Sequence, residues 1–506
     1  MDLAGGIWHG RAMREIEISR AGRVGLVVAP LLLVLVLVTD PPSGMGLAAW
    51  RTAGVVGAMA VLWMTEAIPI PATAMLPLVL FPLLGVASMK DAAAPYANPV
   101  IYLFLGGFIL ALGLQRWRLH ERVAFGIIRL TGSRVSRVVA GFMAATAFVS
   151  MWINNSATAV MMLPMAISVA ALFRDHLPHD KKAQEGVGLA LMLSVAYASS
   201  VGGMGTLIGT APIAFMAGFL RETYGLQIGF GQWMMVGVPL VVIGVVLTHA
   251  ILVRMCLTDR RLEVSGLQTV VRGELAKLGK WSRGEISVAV VFCATAVLWI
   301  AQPLLKPWLP GLSDAGIAMA SGVALFLIPV SWRRGEFVLS RHDLRDLPFG
   351  VLILLGGGLS MAEMVDKTGL AAWLGALTAA WEGLPIVLVV VLVTLSILFL
   401  TELTSNTATT ATFLPVVASV AVGMGQNPLL LVLPAVMAAS CAFMLPVGTP
   451  PNAIVFASGL VPLPRMARVG IFVNLLFVVL IPLVVFTVAE WVFGIMPGVL
   501  PSWLQR

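Results

Sequence analysis

The sequence predicts an all-α polytopic membrane protein with about eleven transmembrane helices and two re-entrant hairpins, arranged as two inverted repeats. Three observations lead to this prediction. The chain of 506 residues is 59% hydrophobic and only 11% charged. Its apolar runs are as long as membrane helices and lack the short alternating pattern of a barrel. Four runs are broken by polar, glycine-rich or proline-rich residues, and each break in the first half has a counterpart in the second.

The positive charge of the chain, +8 at neutral pH, lies mainly in a few short segments. With the N-terminus in the cytoplasm, 26 of the 32 Lys and Arg residues fall in cytoplasmic segments. Because positively charged loops stay on that side, the charge predicts a protein of the cytoplasmic (inner) membrane with an external C-terminus. It does not indicate a nucleic-acid partner. The 3 cysteines form neither a disulfide framework nor a metal-ligand spacing.

Taken in order, the chain divides into four parts. Residues 1–46 hold a basic N-terminus and a first helix, which lacks a signal-peptide cleavage pattern and is expected to be retained. Residues 47–256 form the first repeat, residues 257–284 a polar cytoplasmic linker, and residues 285–494 the second repeat. Within the first repeat, the basic segment 116–137 carries interleaved apolar residues and predicts an amphipathic helix on the cytoplasmic face.

The strongest repeat signal joins two stretches of similar pattern. Ser150–Pro164 reads SMWINNSATAVMMLP, and Thr401–Pro415 reads TELTSNTATTATFLP. A second break follows each copy, at Gly202–Phe215 and at Phe443–Phe456. Since each repeat holds an odd number of crossings, the second copy must enter the membrane upside down. Inverted repeats with interrupted helices are typical of transporters whose substrate site lies where the breaks meet.

The residues at these breaks suit both an anion and a cation. Helices are expected to begin at Ser405-Asn406-Thr407 and at Asn154-Asn155-Ser156, because Ser, Asn and Thr favour N-caps. The free N–H groups and the positive end of each helix dipole would attract a carboxylate. The prolines of Gly448-Thr449-Pro450-Pro451 block helical bonding. The freed carbonyls and nearby side-chain oxygens therefore offer a hard-oxygen cation site.

Charge within the apolar runs indicates which ion would travel with the anion. No Lys or Arg lies near the middle of a run, so no fixed cation balances a buried dianion. Oxygen-only ligands favour Na+ as the coupling ion, and no other cofactor is expected. Proton coupling is the weaker alternative, because only Glu402 stands near mid-span and His249 lies toward a helix end. Glu66, at a short connection between helices, is expected to be structural.

Three segments resemble the divalent anion/sodium symporter family, which includes sodium-coupled dicarboxylate and citrate carriers. They are WMTEAIPIPATAMLP at 63–77, SNTATTATFLP at 405–415 and GTPPNAIVF at 448–456, and the resemblance extends from about residue 24 to residue 494. It implies a homodimer with an elevator mechanism, in which a transport domain moves against a scaffold. The implied transport domain comprises residues 138–256 and 384–494, and the implied scaffold comprises residues 47–137 and 285–383.

The resemblance also implies the roles of individual residues. The first sodium site would comprise Ser150, Asn154, Asn155 and Gly209. The second would comprise Thr401, Thr404, Asn406 and Gly448. The substrate would contact Asn154, Asn155, Ser156, Thr210, Ser405, Asn406, Thr407, Thr449 and Pro450. The first half departs from the family's usual Ser-Asn-Thr, which is Asn154-Asn155-Ser156 here, and Ile213 stands where the second half has Asn452.

These expectations combine into one functional hypothesis. The protein would import C4-dicarboxylates such as succinate, malate or fumarate together with more than one Na+. Two alternatives use the same fold: a sodium-independent dicarboxylate or citrate antiporter, and a carrier of sulfate or another oxyanion. An enzyme is not expected, because the apolar runs hold no constellation of nucleophile and base and no metal-ligand set. The expected partners are a small dicarboxylate anion, Na+, membrane lipid and a second copy of the chain.

Overall fold

The computed structural model describes residues 19–176, 180–263, 267–377 and 384–504. Within these ranges the protein is predominantly helical, as the sequence predicts. The predicted cytoplasmic N-terminus up to residue 18 lies outside them. The first seven helices are α1 (Arg20–Val38), α2 (Leu47–Thr65), α3 (Ile70–Thr73), α4 (Leu76–Leu83), α5 (Met89–Ala93), α6 (Pro99–Arg116) and α7 (Leu119–Arg129).

Helix α7 confirms the amphipathic helix predicted in the basic segment 116–137. It begins after Arg118, whose backbone is left-handed with φ of 53°. Phe125 and Ile128 are buried, and the helix packs against the helix that follows it. The apolar face of α7 therefore covers protein, whereas the sequence alone suggested a face lying on the membrane surface.

The first pair of predicted breaks lies among the next five helices. Only four residues join the first two helices of this group, and residues 204–210 are not helical. Both interruptions stand where the sequence predicts them, because the backbone leaves helical geometry at the polar and glycine-rich residues. The helices are α8 (Val135–Ser150), α9 (Asn155–His176), α10 (Lys181–Gly203), α11 (Ala211–Tyr224) and α12 (Phe230–Cys256).

The predicted polar linker contains a helix of its own. The Val135 N–H at the start of α8 donates to the carbonyl oxygen of Leu262 at 2.9 Å. Arg134 and Glu263 form an exposed ion pair at 2.6 Å, so the linker runs along the beginning of α8. The elements from the linker onward are α13 (Leu267–Lys277), α14 (Arg283–Leu305), α15 (Asp314–Leu327), β1 (Pro329–Ser331), β2 (Glu336–Phe337), α16 (Phe349–Lys367) and α17 (Leu370–Leu377). The two strands pair antiparallel.

The same order of interrupted helices recurs near the C-terminus. Four residues again join the first two helices, and residues 440–449 are not helical. The helices are α18 (Ile386–Thr401), α19 (Asn406–Gly423), α20 (Leu429–Ala439), α21 (Pro450–Phe456) and α22 (Leu463–Val484). A π-helical turn, Val485–Ala489, and α23 (Glu490–Phe493) follow.

The two groups of interrupted helices pack against each other reciprocally. Helix α21 contacts α9 and α10, and helix α11 contacts α19 and α20. Each short helix that follows a break therefore packs on the preceding helices of the other group. Helix α20 is buried along its whole length, which requires apolar residues on every face. The interrupted segments consequently meet in the interior of the protein.

Glycines permit close helix crossings beside this centre. The sequence repeats Leu-Gly-Gly at Leu105-Gly106-Gly107 in α6 and at Leu355-Gly356-Gly357 in α16. A Cβ at Gly106 would overlap the backbone of Ala318, and a Cβ at Gly357 would overlap the carbonyl oxygen of Ala74. The repeated motif thus marks two sites of close backbone contact, one with α15 and one with the turn between α3 and α4.

Nine helices of the described ranges are long and apolar enough to cross a membrane, and shorter apolar helices accompany them. The prediction of a helical membrane protein is therefore confirmed. Length and composition do not distinguish full crossings from re-entrant hairpins, so the predicted eleven crossings and two hairpins stay predictions.

Candidate functional site

The first half forms a cluster of three oxygens at the end of α8. Ser150 Oγ lies 2.8 Å from Asn155 Oδ1 and 2.7 Å from the carbonyl oxygen of Ser199. Ser150 is fully buried. One hydroxyl hydrogen satisfies only one of the two acceptors at a time, so the cluster keeps spare lone pairs. We call this group the first oxygen cluster, and its chemistry suits a small hard cation.

The second half repeats this arrangement at the end of α18. Thr401 Oγ1 lies 2.7 Å from Asn406 Oδ1 and 3.1 Å from the carbonyl oxygen of Ala439. Thr401 is also fully buried. Both halves share one pattern. A hydroxyl lies close to the oxygen of the asparagine five residues later, and close to a carbonyl near the end of the helix that follows the hairpin. We call this group the second oxygen cluster.

Glycines bring the first break against the first oxygen cluster. A Cβ at Gly203 would overlap Asn155 Oδ1, and a Cβ at Gly209 would overlap the carbonyl oxygen of Gly203. The Thr206 hydroxyl donates to the carbonyl oxygen of Met151 at the hairpin tip. The first break is therefore held by backbone contact and by hydroxyl bonding.

A cavity of about 910 Å³ lies between the two oxygen clusters. Ser150 and Thr401 do not line the cavity themselves. Ser150 is hydrogen-bonded to the lining residue Asn155, and Thr401 to the lining residue Asn406. The structure thus brings every residue of the predicted site to one place. The predicted residues that line the cavity are Asn154, Asn155, Ser156, Gly209, Thr210, Thr404, Ser405, Asn406, Thr407, Gly448, Thr449 and Pro450.

The N-termini of α9 and α19 open on this cavity, as do those of the shorter helices α11 and α21. Helix α19 begins at Asn406, and the Ser405 side chain forms no capping hydrogen bond. Helix α9 begins at Asn155, but there Asn154 Oδ1 accepts from the Ala157 N–H at 2.9 Å. The second half therefore presents uncapped backbone donors, while the first half has one of its donors occupied. Both N-termini carry partial positive charge toward the cavity.

Fixed charge around the cavity is sparse. Glu66 is the single ionisable side chain among the described residues that line it. It sits at the C-terminal cap of α2 in left-handed conformation, with φ of 46°. The expectation that no Lys or Arg balances a bound dianion therefore holds for the described lining. A bound dianion would depend on backbone N–H groups, polar side chains and accompanying cations.

The predicted site residue Thr404, and Ile213 where the sequence departs from the second half, both lack a polar group free to face a ligand. The Thr404 hydroxyl lies 2.6 Å from Thr409 Oγ1 and 3.0 Å from the carbonyl oxygen of Leu400, so it bonds within its own hairpin. Ile213 is fully buried and offers no polar group. Its counterpart Asn452 donates from Nδ2 to the carbonyl oxygens of Ala442 and Leu445 at 3.0 and 2.9 Å.

The sequence did not indicate the apolar wall of the cavity. Phe104 and Phe108 of α6 line it, with ring centroids 5.6 Å apart in an edge-to-face arrangement. Val351 of α16 also lines it. The repeated Leu-Gly-Gly motif lies beside these residues and marks their helices. Aromatic residues are common in membrane helices, however, so their type and spacing gave no signal of a site.

The fold and the site define a helical integral membrane protein of the transporter class. The chain belongs to the family described as "Sodium:sulfate symporter transmembrane region", which matches residues 21–495. This membership confirms the resemblance drawn from the three sequence segments.

Curated relatives match almost the whole chain. The "Sodium-dependent dicarboxylate transporter SdcS" of Staphylococcus saprophyticus is 41% identical over 479 residues, which is 93% of this chain and 92% of the relative. The protein of the same name from Staphylococcus aureus (strain USA300) is 39% identical over 494 residues, which is 96% of this chain and 94% of the relative. The relatives are transporters and not enzymes, as the sequence predicts for this chain.

Solved structures share the fold at low sequence identity. The Alcanivorax borkumensis YdaH transporter has a TM-score of 0.56 at 14% identity, and the match covers 92% of this chain and 98% of that structure. Neisseria gonorrhoeae MtrF, described among antimetabolite efflux pumps, has a TM-score of 0.58 at 12% identity, with 96% and 98% coverage. At such identities the likeness concerns the fold alone.

Proposed function

We propose that the protein is a sodium-coupled symporter of C4-dicarboxylates such as succinate, malate and fumarate. The observation that carries this proposal is the pair of oxygen clusters on opposite sides of one cavity. Each cluster joins a hydroxyl, an amide oxygen and a backbone carbonyl, and so provides ligands for Na+ without a charged side chain. The relatives named sodium-dependent dicarboxylate transporters support the same cation and the same substrate class.

The substrate binds between the two clusters. One carboxylate faces the N-terminus of α19 with Ser405, Asn406 and Thr407, and the other faces the N-terminus of α9 with Asn155 and Ser156. Thr210 and Thr449, at the starts of α11 and α21, add side-chain donors. Each cation offsets part of the charge of the dianion, so occupied cation sites favour substrate binding. Coupling follows because neither partner is well stabilised alone.

The two clusters and the cavity move together in this proposal. The reciprocal packing of α11 and α21 supports a single transport domain formed by segments 138–256 and 384–494. The cavity wall contributed by α2, α6 and α16 belongs to the scaffold segments 47–137 and 285–383. The body slides across this wall in an elevator-type motion, and a second copy of the chain anchors the scaffold. The N-terminus faces the cytoplasm and the C-terminus the outside.

Uptake of radiolabelled succinate into proteoliposomes tests the function directly. We expect accumulation with an inward Na+ gradient and none with an equal K+ gradient. Uptake that ignores Na+ but requires internal dicarboxylate would identify an exchanger and overturn symport. Sulfate is the second substrate to assay, because the family description names it and Asn154 alters the first motif. Sulfate uptake without succinate uptake would replace the dicarboxylate assignment.

A further inference from the structure

A buried carboxylate lies beside the second oxygen cluster. Glu402 follows Thr401 directly in the chain and is only 3% exposed. Its described partners are all N–H donors, and no lysine, arginine or histidine of the described ranges pairs with it. A buried charge without a counterion requires strong hydrogen bonding, so the donors around Glu402 bear directly on its role.

Three consecutive backbone N–H groups converge on this carboxylate. Oε1 accepts from Phe443 at 2.7 Å and from Met444 at 3.0 Å, and Oε2 accepts from Leu445 at 3.1 Å. All three donors lie in the non-helical segment 440–449. Successive N–H groups of this kind form an anion-binding concavity in the backbone. Here the carboxylate of Glu402 occupies this concavity, and its hydrogen bonds fix the conformation of the unwound segment.

Other contacts extend this anchor across the break. Asn474 of α22 donates from Nδ2 to Glu402 Oε1 at 2.7 Å. A Cβ at Gly448 would stand 3.1 Å from Glu402 Oε2, so the far end of the break lies close to the carboxylate. Glu402 therefore fixes the backbone from Phe443 to Leu445 relative to Thr401, with Gly448 close by. Because N–H groups and carbonyls alternate along the backbone, fixing the N–H groups also orients the carbonyl oxygens of the segment.

The first half has no equivalent carboxylate. Met151 occupies the position of Glu402 after Ser150, and the Thr206 hydroxyl bonds to the Met151 carbonyl instead. We propose that Glu402 is a positioning residue for the second cation, acting through the unwound segment and not as a cation ligand or proton carrier. This inference rests on the proposed function, because it assigns a supporting residue to one of its two cation sites.

The variant E402Q tests the inference in the full-length protein. Gln keeps one acceptor oxygen but turns an NH2 group toward backbone donors, so the segment loses its anchor. We expect the Na+ concentration for half-maximal succinate uptake to rise about 10- to 100-fold, as for loss of a residue that orients metal ligands. The maximal rate at saturating Na+ changes much less. General misfolding would lower the maximal rate and leave half-saturation unchanged.

E285Q is the matched control. Glu285 is also buried and also accepts from a backbone N–H, that of Ser282 at 2.8 Å, and it pairs with Arg122 at 2.9 Å. E285Q therefore perturbs a buried, hydrogen-bonded carboxylate and also weakens an ion pair, but at the start of α14 away from the cavity. We expect E285Q to leave the Na+ half-saturation unchanged. An E402Q titration that coincides with the wild-type curve would overturn the inference. If E402Q does not fold, N474A, which removes one donor to Glu402, must show a smaller increase, and an unchanged value there would overturn it equally.

A second readout separates this inference from the proposed function. Bound Na+ raises the melting temperature of the purified protein, because a ligand that binds only the folded state stabilises it. We expect Na+, compared with K+, to stabilise wild type and E285Q more than E402Q. Wild type that is stabilised by Na+ without transporting succinate would refute the proposed substrate only. Equal stabilisation of wild type and E402Q would refute the role of Glu402 only. No stabilisation of wild type by Na+ would refute both.

Discussion

The two halves of the site reach the same geometry with different side chains. In each half a buried hydroxyl lies within hydrogen-bonding distance of an asparagine oxygen and a backbone carbonyl. The breaks beside these clusters are held differently. In the first half, glycines allow direct contact between backbone segments, the Thr206 hydroxyl donates to the Met151 carbonyl oxygen, and Ile213 fills the interior. In the second half, Glu402 and Asn452 hydrogen-bond the unwound backbone.

This difference shows that the ligand geometry and its support are separable. The hydroxyl and the asparagine lie five residues apart in both halves, and in both halves they meet a backbone carbonyl. The unwound backbone must be stabilised in either case, since its polar groups have lost their helical partners. That requirement can be met by close packing of glycines with a neutral hydroxyl, or by a buried carboxylate and amide. Substitutions at the clusters should therefore act alike in both halves, whereas substitutions at the supports should not.

The largest effect is expected for N406A. Asn406 contributes both the amide oxygen of the second cluster and the start of α19, so the variant removes a cation ligand and a substrate contact. Succinate uptake at a fixed Na+ concentration should fall about 100-fold, at the upper end of effects at metal-site residues. T412V on the same helix is the control, because the buried Thr412 hydroxyl has no hydrogen-bond partner among the described residues. Unchanged uptake by N406A would remove the second cluster from the transport site.

The hydroxyl variants S150A and T401V test whether the clusters are equivalent. Each removes one oxygen from a cluster, and each should raise the Na+ concentration for half-maximal uptake about tenfold. The measurement is a Na+ titration of initial uptake rates. If the double variant raises the half-saturating Na+ concentration by the product of the two single increases, the two clusters bind two separate ions. A change in only one single variant would show that only one cluster binds Na+.

Exchanging the residues that differ between the breaks should destabilise the protein in both directions. N452I leaves the carbonyl oxygens of Ala442 and Leu445 without their donor, at a cost of about 1–3 kcal/mol for unpaired buried groups. I213N buries an amide in an apolar position and should also lower the melting temperature in detergent. A neutral I213N would show that the first break offers the same carbonyl partners as the second, and the two supports would then be alike.

The smallest effect is expected for N154S, which gives the first half the serine found at position 405. Ser and Asn are nearly equal as N-caps, so the folding equilibrium constant should change by no more than about twofold. The Na+ concentration for half-maximal uptake should change by no more than about twofold as well. Competition between succinate and sulfate in the uptake assay is the informative readout, because the variant reduces side-chain volume at the cavity. An identical substrate preference would show that Asn154 does not select the substrate.

Much of the site was predictable because its signals are local. Polar and glycine-rich interruptions in apolar runs are costly in a membrane, and so they mark function or packing. Asn155 and Asn406 were found by this reasoning, and the helices begin at those residues. Glu402 was noted only as a carboxylate near mid-span. Its partners Phe443 and Asn474 lie 41 and 72 residues away, and no sequence spacing indicates such contacts.

The sequence by itself determined the helical membrane class, the order of the interruptions and the residue types of the site. These follow from hydrophobicity, helix capping and the conformational limits of proline and glycine, which act over a few residues. Only the tertiary structure decided that α7 packs on α8, that Phe104 and Phe108 wall the cavity, and that Glu402 anchors the second break. Those features depend on which distant groups meet, because burial and hydrogen bonding are settled by packing between helices.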